Sequence, residues 1–389
     1  MNTSATPTAS YTYANWQRAR NGDPAQATSE AMLFTDTWVT GEVPELGPYA
    51  FINTIAHASI QPGKIIQPAV AMRVTHHHQE TPQGPTTSMV NDFEHYHGGD
   101  YVDEMAAMAS LCAGVRLKAG GVTRQFEKDG DRFGRPVQYS GKPDPQFLLE
   151  GQPQIPRLTL PFNLNDCLRP LTNFPERTVA QTNAFIKAAR QYQQAIWIAD
   201  SDPTLAWLML VSAIETVALE WKSDSPPVEQ LGTAFPELVK LIRESKSPEL
   251  LEPVAGILKQ LTHSTKRFVG FIEAFAPPAP AERPAPYMQI SYEKPDLRKA
   301  ASLIYRHRSQ SLHRGTAFPA PMCQPPRYAS AGQNKLAVQE KPFGLATSSR
   351  NASWTIDKTP MLINAFEHIA RGALLNWWRF LEQPTDEHA

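Results

Sequence analysis

The segment Asp202-Pro-Thr-Leu-Ala-Trp-Leu-Met-Leu-Val-Ser-Ala-Ile-Glu-Thr-Val-Ala-Leu-Glu-Trp221 joins a helix start signal to a long apolar stretch. An aspartate is a preferred N-cap residue, and proline is favoured in the first helical position. The apolar residues that follow occupy nearly every face of a helix: Leu205, Trp207, Leu208, Leu210, Val211, Ile214, Val217 and Leu219. Because a helix that is apolar all round must be buried, the sequence predicts a central core helix from this segment.

Helical spacing of apolar residues continues on both sides of this segment. It predicts further helices over residues 175–198, 237–245, 253–274, 295–309 and 361–381. A proline-rich linker at 277–286 precedes the helix at 295–309, and a long polar loop is predicted over 315–360. We therefore expect residues 175–383 to form a helical C-terminal domain.

Residues 1–170 differ in character and are predicted to form a mixed, mainly β domain of unknown role. Residues 31–40 and 64–75 carry β-branched and aromatic side chains between glycine and proline turns, which is typical of strands. One helix is predicted over 101–117, ended by Gly120-Gly121. The proline-rich residues 141–161 form the expected domain boundary. The overall prediction is an α+β N-terminal domain followed by a helical one.

Composition limits the classes of partner. The 389 residues carry a formal net charge of −1, so nucleic acid could be attracted only by a local basic patch. Three cysteines, Cys112, Cys167 and Cys323, are too few and too widely spaced for a disulfide framework or a cysteine zinc site. The N-terminus lacks signal-peptide character, and the longest apolar runs are far short of the ~20 residues that span a bilayer. We expect a cytoplasmic protein without membrane contact and without a cofactor.

The segment Leu303-Ile-Tyr-Arg-His-Arg-Ser-Gln-Ser-Leu-His-Arg-Gly315 carries the predicted chemistry. Arg308 continues the row of Leu297, Ala301 and Ile304 and should therefore point toward the protein body. His313 follows where the helix is expected to end, so both side chains could share one cleft. Histidine can move protons near neutral pH, and arginine can bind phosphate oxygens with its planar fork. This pair suits RNA cleavage by attack of the 2′-hydroxyl, which needs no metal.

Arg308 and His313 match the Arg–x(4–6)–His motif, and the chain resembles the HEPN-domain ribonucleases, in particular the Apea-like branch. The resemblance covers about residues 175–383 and includes the segments 208–218 and 266–277. It implies an all-α bundle, a homodimer with two motifs facing each other, and metal-independent RNA cleavage in phage defence or a toxin system. Many active members have Asn directly after the motif arginine, where this chain has Ser309.

Supporting roles are predicted for Ser309, Tyr305 and Glu215, and RNA-binding roles for Arg306, His307 and Arg314. Glu215 has two interpretations, a residue at a hydrated helix edge or a buried partner of Arg308. The alternative to a ribonuclease is a catalytically inactive HEPN protein that binds RNA or serves as a scaffold.

Histidines of the N-terminal region raise a second alternative, a metal-dependent hydrolase. They occur as His76-His77-His78 and as Glu94-His95-Tyr96-His97, with Asp100 nearby. The residues between them have loop character, and no helical His-Glu-x-x-His pattern is present. We therefore expect solvated loop histidines and no metal site.

Overall fold

A computed structural model describes most of the chain. The described residues are 9–55, 62–77, 99–127, 131–137, 151–221, 228, 231, 235–245, 247–258, 264–328, 337–343, 346–349 and 352–381. Their helices are α1 (Tyr11–Arg20), α2 (Tyr101–Ala113), α3 (Leu164–Cys167), α4 (Val179–Ile198), α5 (Pro203–Trp221), α6 (Pro236–Glu244), α7 (Leu251–Leu258), α8 (Ser264–Phe275), α9 (Lys294–Arg314) and α10 (Ile363–Phe380). Their strands are β1 (Ala27–Thr35), β2 (Val39–Thr40), β3 (Val43–Leu46), β4 (Tyr49–Asn53), β5 (Gln67–His76), β6 (Lys118–Phe126), β7 (Arg135–Pro136), β8 (Phe162–Asn163), β9 (Ala346–Ser349) and β10 (Ala352–Thr355).

An antiparallel sheet dominates the N-terminal region, in the order β3-β4-β5-β1-β6-β7. Strand β1 alternates from Thr28 to Leu33, as expected of a sheet with one covered face, because Ser29, Ala31 and Leu33 are buried and the residues between them are only half-buried. Its last residues, Phe34 and Thr35, are both buried. The predicted strands at 31–40 and 64–75 correspond to β1 with β2, and to β5. The α+β character of this region is confirmed.

Helix α2 packs against this sheet and against α4. Asp100 and Asp103 form a capping box at its start, and Gly114 ends it in the left-handed conformation with φ of 69°. The expectation that Gly120-Gly121 stop the helix is wrong. These glycines lie inside β6, next to irregularities in its register with β1, which glycines in strands often accompany.

The central helix α5 begins as its sequence predicts, and it reaches Trp221, the last residue described before a gap. The Asp202 carboxylate accepts a hydrogen bond from the Leu205 N–H at 2.9 Å, which fixes the first turn. The helix packs against α4, α8, α9 and α10, and its exposed residues are Leu205, Leu219 and Glu220. The C-terminal region is therefore a helical layer built around α5.

By length and composition alone, α5 is also the one helix within the described ranges that could cross a membrane. The expectation that no apolar stretch reaches that length is wrong by this criterion. A core helix passes the same test, and the inner faces of α5 pack against protein here.

Three sequence expectations for the C-terminal region need revision. The helix predicted at 175–198 begins at Val179, where Thr178 and Gln181 form a capping box. The stretch 253–274 contains the end of α7 and α8, with residues 259–263 outside the described part. The predicted loop 315–360 contains the antiparallel pair β9 and β10.

Buried side chains of both regions form one continuous core. Trp378 of α10 stacks on Phe185 of α4 with ring centroids 4.1 Å apart, and Phe174 joins them to Trp16 of α1. Trp377 and Trp378 are 1% and 0% exposed, so they belong to this core and offer no docking surface. A division into domains at residues 170–175 stays a prediction, and the two regions share their packing.

Candidate functional site

Helix α9 positions the predicted motif against α5 and α8. Leu297, Ala301, Ile304 and Tyr305 are its buried residues, and they form the stripe that the spacing predicts. Arg308 continues this stripe one turn further along. As expected, its side chain points to the protein body and is 20% exposed.

Glu215 of α5 joins Arg308 and Tyr305 in one cluster. Its Oε2 lies 2.7 Å from Arg308 Nη2, and its Oε1 accepts a hydrogen bond from the Tyr305 hydroxyl at 2.9 Å. The Arg308 guanidinium lies 5.5 Å from the centre of the Tyr305 ring, close enough for a cation–π interaction. Of the two interpretations of Glu215, the pairing with Arg308 is the one observed.

The electrostatics of this cluster favour a protonated Tyr305. Burial and the neighbouring Glu215 carboxylate raise the pKa of Tyr305 to about 12, so the hydroxyl stays a hydrogen-bond donor at neutral pH. A hydrogen bond with the Ser264 side chain acts in the opposite direction. Arg308 Nε is buried, and it has no hydrogen-bond partner among the residues that the structure describes. The guanidinium is therefore only partly engaged by Glu215.

His313 lies on a different face of α9 from Arg308. The helix continues through Arg314 and ends at Gly315, whose φ of 65° forms a left-handed C-cap. Five helical residues separate two side chains by about 140° around the axis and about 7.5 Å along it. His313 is exposed, whereas Arg308 is mostly buried. The expectation that both share one cleft within a single chain is therefore wrong, because it assumed that the helix ends before the histidine.

The other predicted residues are distributed around the same helix. Arg306 and Arg314 are exposed, and Ser309 is half-buried. His307 is turned toward the chain that precedes α10, where its Nε2 lies 2.9 Å from the Lys358 carbonyl oxygen. Burial lowers the pKa of His307, which favours its neutral form. Arg306 and Arg314 therefore suit an RNA-binding role better than His307 does.

The N-terminal histidines that the structure describes have structural partners. His76 Nε2 lies 2.8 Å from Ser29 Oγ, and His77 Nδ1 lies 2.7 Å from the Asp23 carbonyl oxygen. Asp100 caps α2. His78, Glu94, His95 and His97 lie outside the described residues. Within the described ranges, no group of three or more His, Cys, Asp or Glu side chains is placed to hold a metal ion.

Sequence reasoning did not identify Ser264, which belongs to the surroundings of Tyr305. Ser264 is the first residue of α8, and Phe268 of the same helix packs its ring 5.2 Å from the Tyr305 ring. The segment that resembles the HEPN family begins only at Lys266, after this serine. A serine at the start of a helix is typical of a cap, so the sequence does not predict the contact of Ser264 with Tyr305 of α9.

Comparisons with family models, with curated proteins and with solved structures gave no match to this chain. Membership of the HEPN superfamily therefore stays a prediction, which rests on the resemblance of residues 175–383.

Proposed function

We propose that this chain is a metal-independent endoribonuclease in which Arg308 binds phosphate and His313 transfers protons. The observation that carries the proposal is the cluster of Arg308, Glu215 and Tyr305. It holds a guanidinium at the edge of the core, where the Arg308 side chain is still 20% exposed and so can be reached by a phosphate. The exposed last turn of the same helix supplies an imidazole and a further arginine. As in the HEPN ribonucleases that it resembles, the expected setting is phage defence or a toxin system.

The reaction would proceed by attack of the ribose 2′-oxygen on the adjacent phosphorus. A base accepts the 2′-hydroxyl proton, the P–O5′ bond breaks, and an acid gives a proton to the departing 5′-oxygen. The products are a 2′,3′-cyclic phosphate and a 5′-hydroxyl. Neutral imidazole can accept the first proton and imidazolium can give the second. Arg308 would stabilise the negative charge that builds up on the phosphate oxygens.

The separation of Arg308 and His313 favours a site shared between two chains. In one chain the two side chains lie about 140° apart around α9. A two-fold axis near the end of α9 would bring His313 of one copy toward Arg308 of another. We therefore propose that the active form is a homodimer and that each reaction uses both copies.

Total cellular RNA provides the first test, because the target sequence need not be known. Wild type, His313→Ala and Leu241→Ala are incubated with the RNA, and new 5′ ends are mapped. Leu241 is an exposed residue of α6, an element outside the proposed site and dimer surface, so its variant controls for the loss of an exposed helical side chain. We expect cleavage by wild type and by Leu241→Ala. We expect His313→Ala to cleave roughly 10²–10⁴-fold more slowly than wild type, because this is the usual effect of losing a general acid or base.

A second pair of variants tests the arginine. Arg308→Lys keeps the charge but loses the planar fork, so we expect a drop in rate of at least about tenfold. Arg298→Lys is the matched control, because Arg298 lies on the same helix and pairs with Glu273 at 2.6 Å. The assignment of both residues is overturned if His313→Ala and Arg308→Lys cleave within about threefold of wild type.

A second candidate function is an RNA-binding or scaffold protein that does not cleave. The observation in its favour is that Glu215 balances the charge of Arg308 while His313 lies on another face. Such a protein would bind RNA with an affinity that falls steeply with salt, and it would leave the RNA intact. Binding without new ends, for wild type and His313→Ala alike, identifies this function.

A further inference from the structure

An open groove of about 520 Å³ lies along one face of α10, apart from the predicted motif. Its other walls are the end of α2, the segment from β8 to Pro170, and the start of the proline-rich linker. Arg371, Leu375 and Arg379 line it from α10, at the spacing of four that places side chains on one face of a helix. The sequence predicts no role for these residues.

Arg371 reaches from α10 to the last turn of α2. Its Nε donates to the Leu111 carbonyl oxygen at 2.8 Å, and its Nη2 donates to the Cys112 carbonyl oxygen. Gly114 permits this approach, since a Cβ there would lie 2.6 Å from Arg371 Nε. Because a helix C-terminus presents carbonyl groups without intrahelical partners, these two bonds fix the orientation of the guanidinium.

The third guanidinium nitrogen of Arg371 is available to a ligand. Nη1 makes no hydrogen bond with the part of the chain that the structure describes, and it does not belong to the polar atoms that are both buried and without a partner. The side chain as a whole is partly exposed and lines the groove. A ligand in the groove can therefore accept a hydrogen bond from this nitrogen.

No carboxylate within the described ranges forms an ion pair with Arg371. Glu367, one turn earlier on α10, is buried and already engaged, by Arg157 Nη1 at 3.3 Å and by the Tyr192 hydroxyl at 2.6 Å. Burial lowers the pKa of Arg371, and the neighbouring charge of Arg157 lowers it further. Tyr192 and Glu367 act in the opposite direction without cancelling this shift. A bound anion would stabilise the charged guanidinium.

Arg379 adds a second positive charge at the exposed edge of the same groove. It lies about two turns beyond Arg371 and donates to Asn376 Oδ1 at 3.2 Å. Asp166 is the acidic side chain among the described lining residues, and burial lowers the pKa of His368, which favours its neutral form. Two arginines and one aspartate leave one positive charge in excess.

The remaining walls of the groove are largely apolar. Phe162, Pro170 and Pro277 line it together with Leu375. Gly372 lets the linker approach α10 closely, because a Cβ at this position would overlap the Pro277 ring. A volume of several hundred Å³, with apolar walls and few charged groups, is typical of sites for small organic molecules. An inorganic ion would leave these walls without contacts.

We infer that this groove binds a small organic monoanion, a carboxylate on an apolar body. The carboxylate would accept from Arg371 Nη1 and pair with Arg379 at the exposed edge, and the body would pack on Phe162, Pro277 and Leu375. A single negative charge balances the one positive charge in excess. This inference does not depend on the proposed ribonuclease activity.

Hexanoate is the probe, and two compounds are its matched controls. Hexanamide has the same apolar body without the charge, and acetate has the same carboxylate with four fewer methylene groups. Isothermal titration of the full chain at low ionic strength should show saturable binding of hexanoate and at least about tenfold weaker binding of each control. Equal binding of hexanoate and either control, or no binding of hexanoate at millimolar concentration, overturns the inference.

Two exposed residues of the groove test its charge with opposite signs. Arg379→Gln removes a positive charge, and Asp166→Asn removes the negative one. We expect hexanoate to bind about two- to fivefold more weakly to Arg379→Gln and about two- to fivefold more tightly to Asp166→Asn. Arg243→Gln, at an exposed position of α6 outside the groove, should bind as wild type does. Changes in the same direction in the two groove variants, or no change in either, contradict the inference.

Arg371→Gln removes the main contact and also the bonds to the end of α2. Its unfolding temperature, measured without ligand, establishes whether the variant is folded. A folded Arg371→Gln should bind hexanoate at least about tenfold more weakly than wild type, because a charged hydrogen bond is lost. Unchanged binding overturns the inference. If the variant does not fold, the opposite effects of Arg379→Gln and Asp166→Asn decide.

Discussion

At the scale of single residues, Glu215 is the side chain on which the predicted site depends. It accepts from the Tyr305 hydroxyl with one carboxylate oxygen and pairs with Arg308 through the other. All three side chains are largely withdrawn from water, so the interaction is screened less than one on the surface. Glu215 is therefore a positioning residue for Arg308.

Glu215→Gln keeps the shape of the side chain and removes its charge. We expect the free energy of unfolding to fall by about 1–2 kcal/mol, since Arg308 would lose a charged hydrogen-bond acceptor. The control is Glu273→Gln, which breaks the more exposed pair with Arg298 and should cost at most about 0.5 kcal/mol. Urea denaturation measures both. Equal losses in the two variants would contradict the positioning role.

Half-buried histidines make stability depend on pH, and two of them lie in the C-terminal region. Burial lowers the pKa of His307 and of His368 below the ordinary value of 6.5. In the unfolded chain both take up a proton as the pH falls through 6.5, whereas in the folded protein they do so only at lower pH. Their stabilising contribution is therefore complete above pH 6.5 and is lost as the pH falls toward their folded values.

The expected result is an unfolding temperature that falls between pH 7.5 and pH 5.5. The double variant His307→Gln/His368→Gln should lose less over the same range, because glutamine does not titrate. Differential scanning calorimetry at both pH values measures the change. A double variant that loses as much as wild type contradicts the assignment.

At the scale of elements, the end of α9 controls where His313 points. Gly315 donates its N–H to carbonyl oxygens of the last turn and adopts a φ of 65°, which L side chains rarely adopt. This cap keeps His313 and Arg314 helical. The position of the histidine is thus a consequence of the glycine that follows it.

Gly315→Ala should lower the free energy of unfolding by about 1 kcal/mol, because a Cβ is strained in the left-handed conformation. Gly270→Ala is the control, since Gly270 lies inside α8 and an added Cβ would meet Trp221 at 3.8 Å, an ordinary contact. We expect that variant to be stabilised by about 0.5–1 kcal/mol. Urea denaturation measures the free energy of unfolding of both variants. If it changes in the same direction in the two, the left-handed cap at Gly315 does not have the assigned role.

Elements with a strong apolar period were predictable from the sequence, and side-chain partners between distant elements were only partly so. The start of α5 follows from Asp202-Pro203, and its burial follows from the apolar residues on nearly all of its faces. The inward position of Arg308 follows from Leu297, Ala301 and Ile304. The sequence did not predict that α9 continues beyond Ser309, because the residues after it, such as Gln310, are polar and show no apolar period. The helix end depends instead on Gly315. The contact of Ser264 and the groove at Arg371 depend on tertiary packing, which local spacing does not encode.

At the scale of the whole molecule, the sheet region and the helical region share one core. The proposed activity needs, in addition, a second copy of this chain. The core runs from Trp16 through Phe174 to Trp378, so the tryptophans of α10 are used within the chain. The surface for a dimer must then lie elsewhere, and the shared site places it near the exposed end of α9.

Mixing two impaired variants tests this arrangement. Random exchange of Arg308→Lys with His313→Ala gives about half mixed dimers, each with one intact shared site, so about a quarter of wild-type activity should return. Each variant alone should show at most about a tenth of wild-type activity. Cleavage of labelled RNA after mixing and re-equilibration provides the measurement. No recovery, with mixed dimers present by native mass spectrometry, contradicts a site shared between copies.

The proposed cleavage proceeds through the ribose 2′-hydroxyl and needs no metal, and a single substituted oligonucleotide tests both features. Once a cut has been mapped, the nucleotide on its 5′ side is replaced by its 2′-deoxy form, and both substrates are incubated with wild type in EDTA. We expect the all-ribose substrate to be cut to a 2′,3′-cyclic phosphate and a 5′-hydroxyl, and the deoxy substrate to stay intact at that bond. Cleavage of the deoxy substrate at that bond, or loss of all cleavage in EDTA, would show that the proposed reaction is wrong.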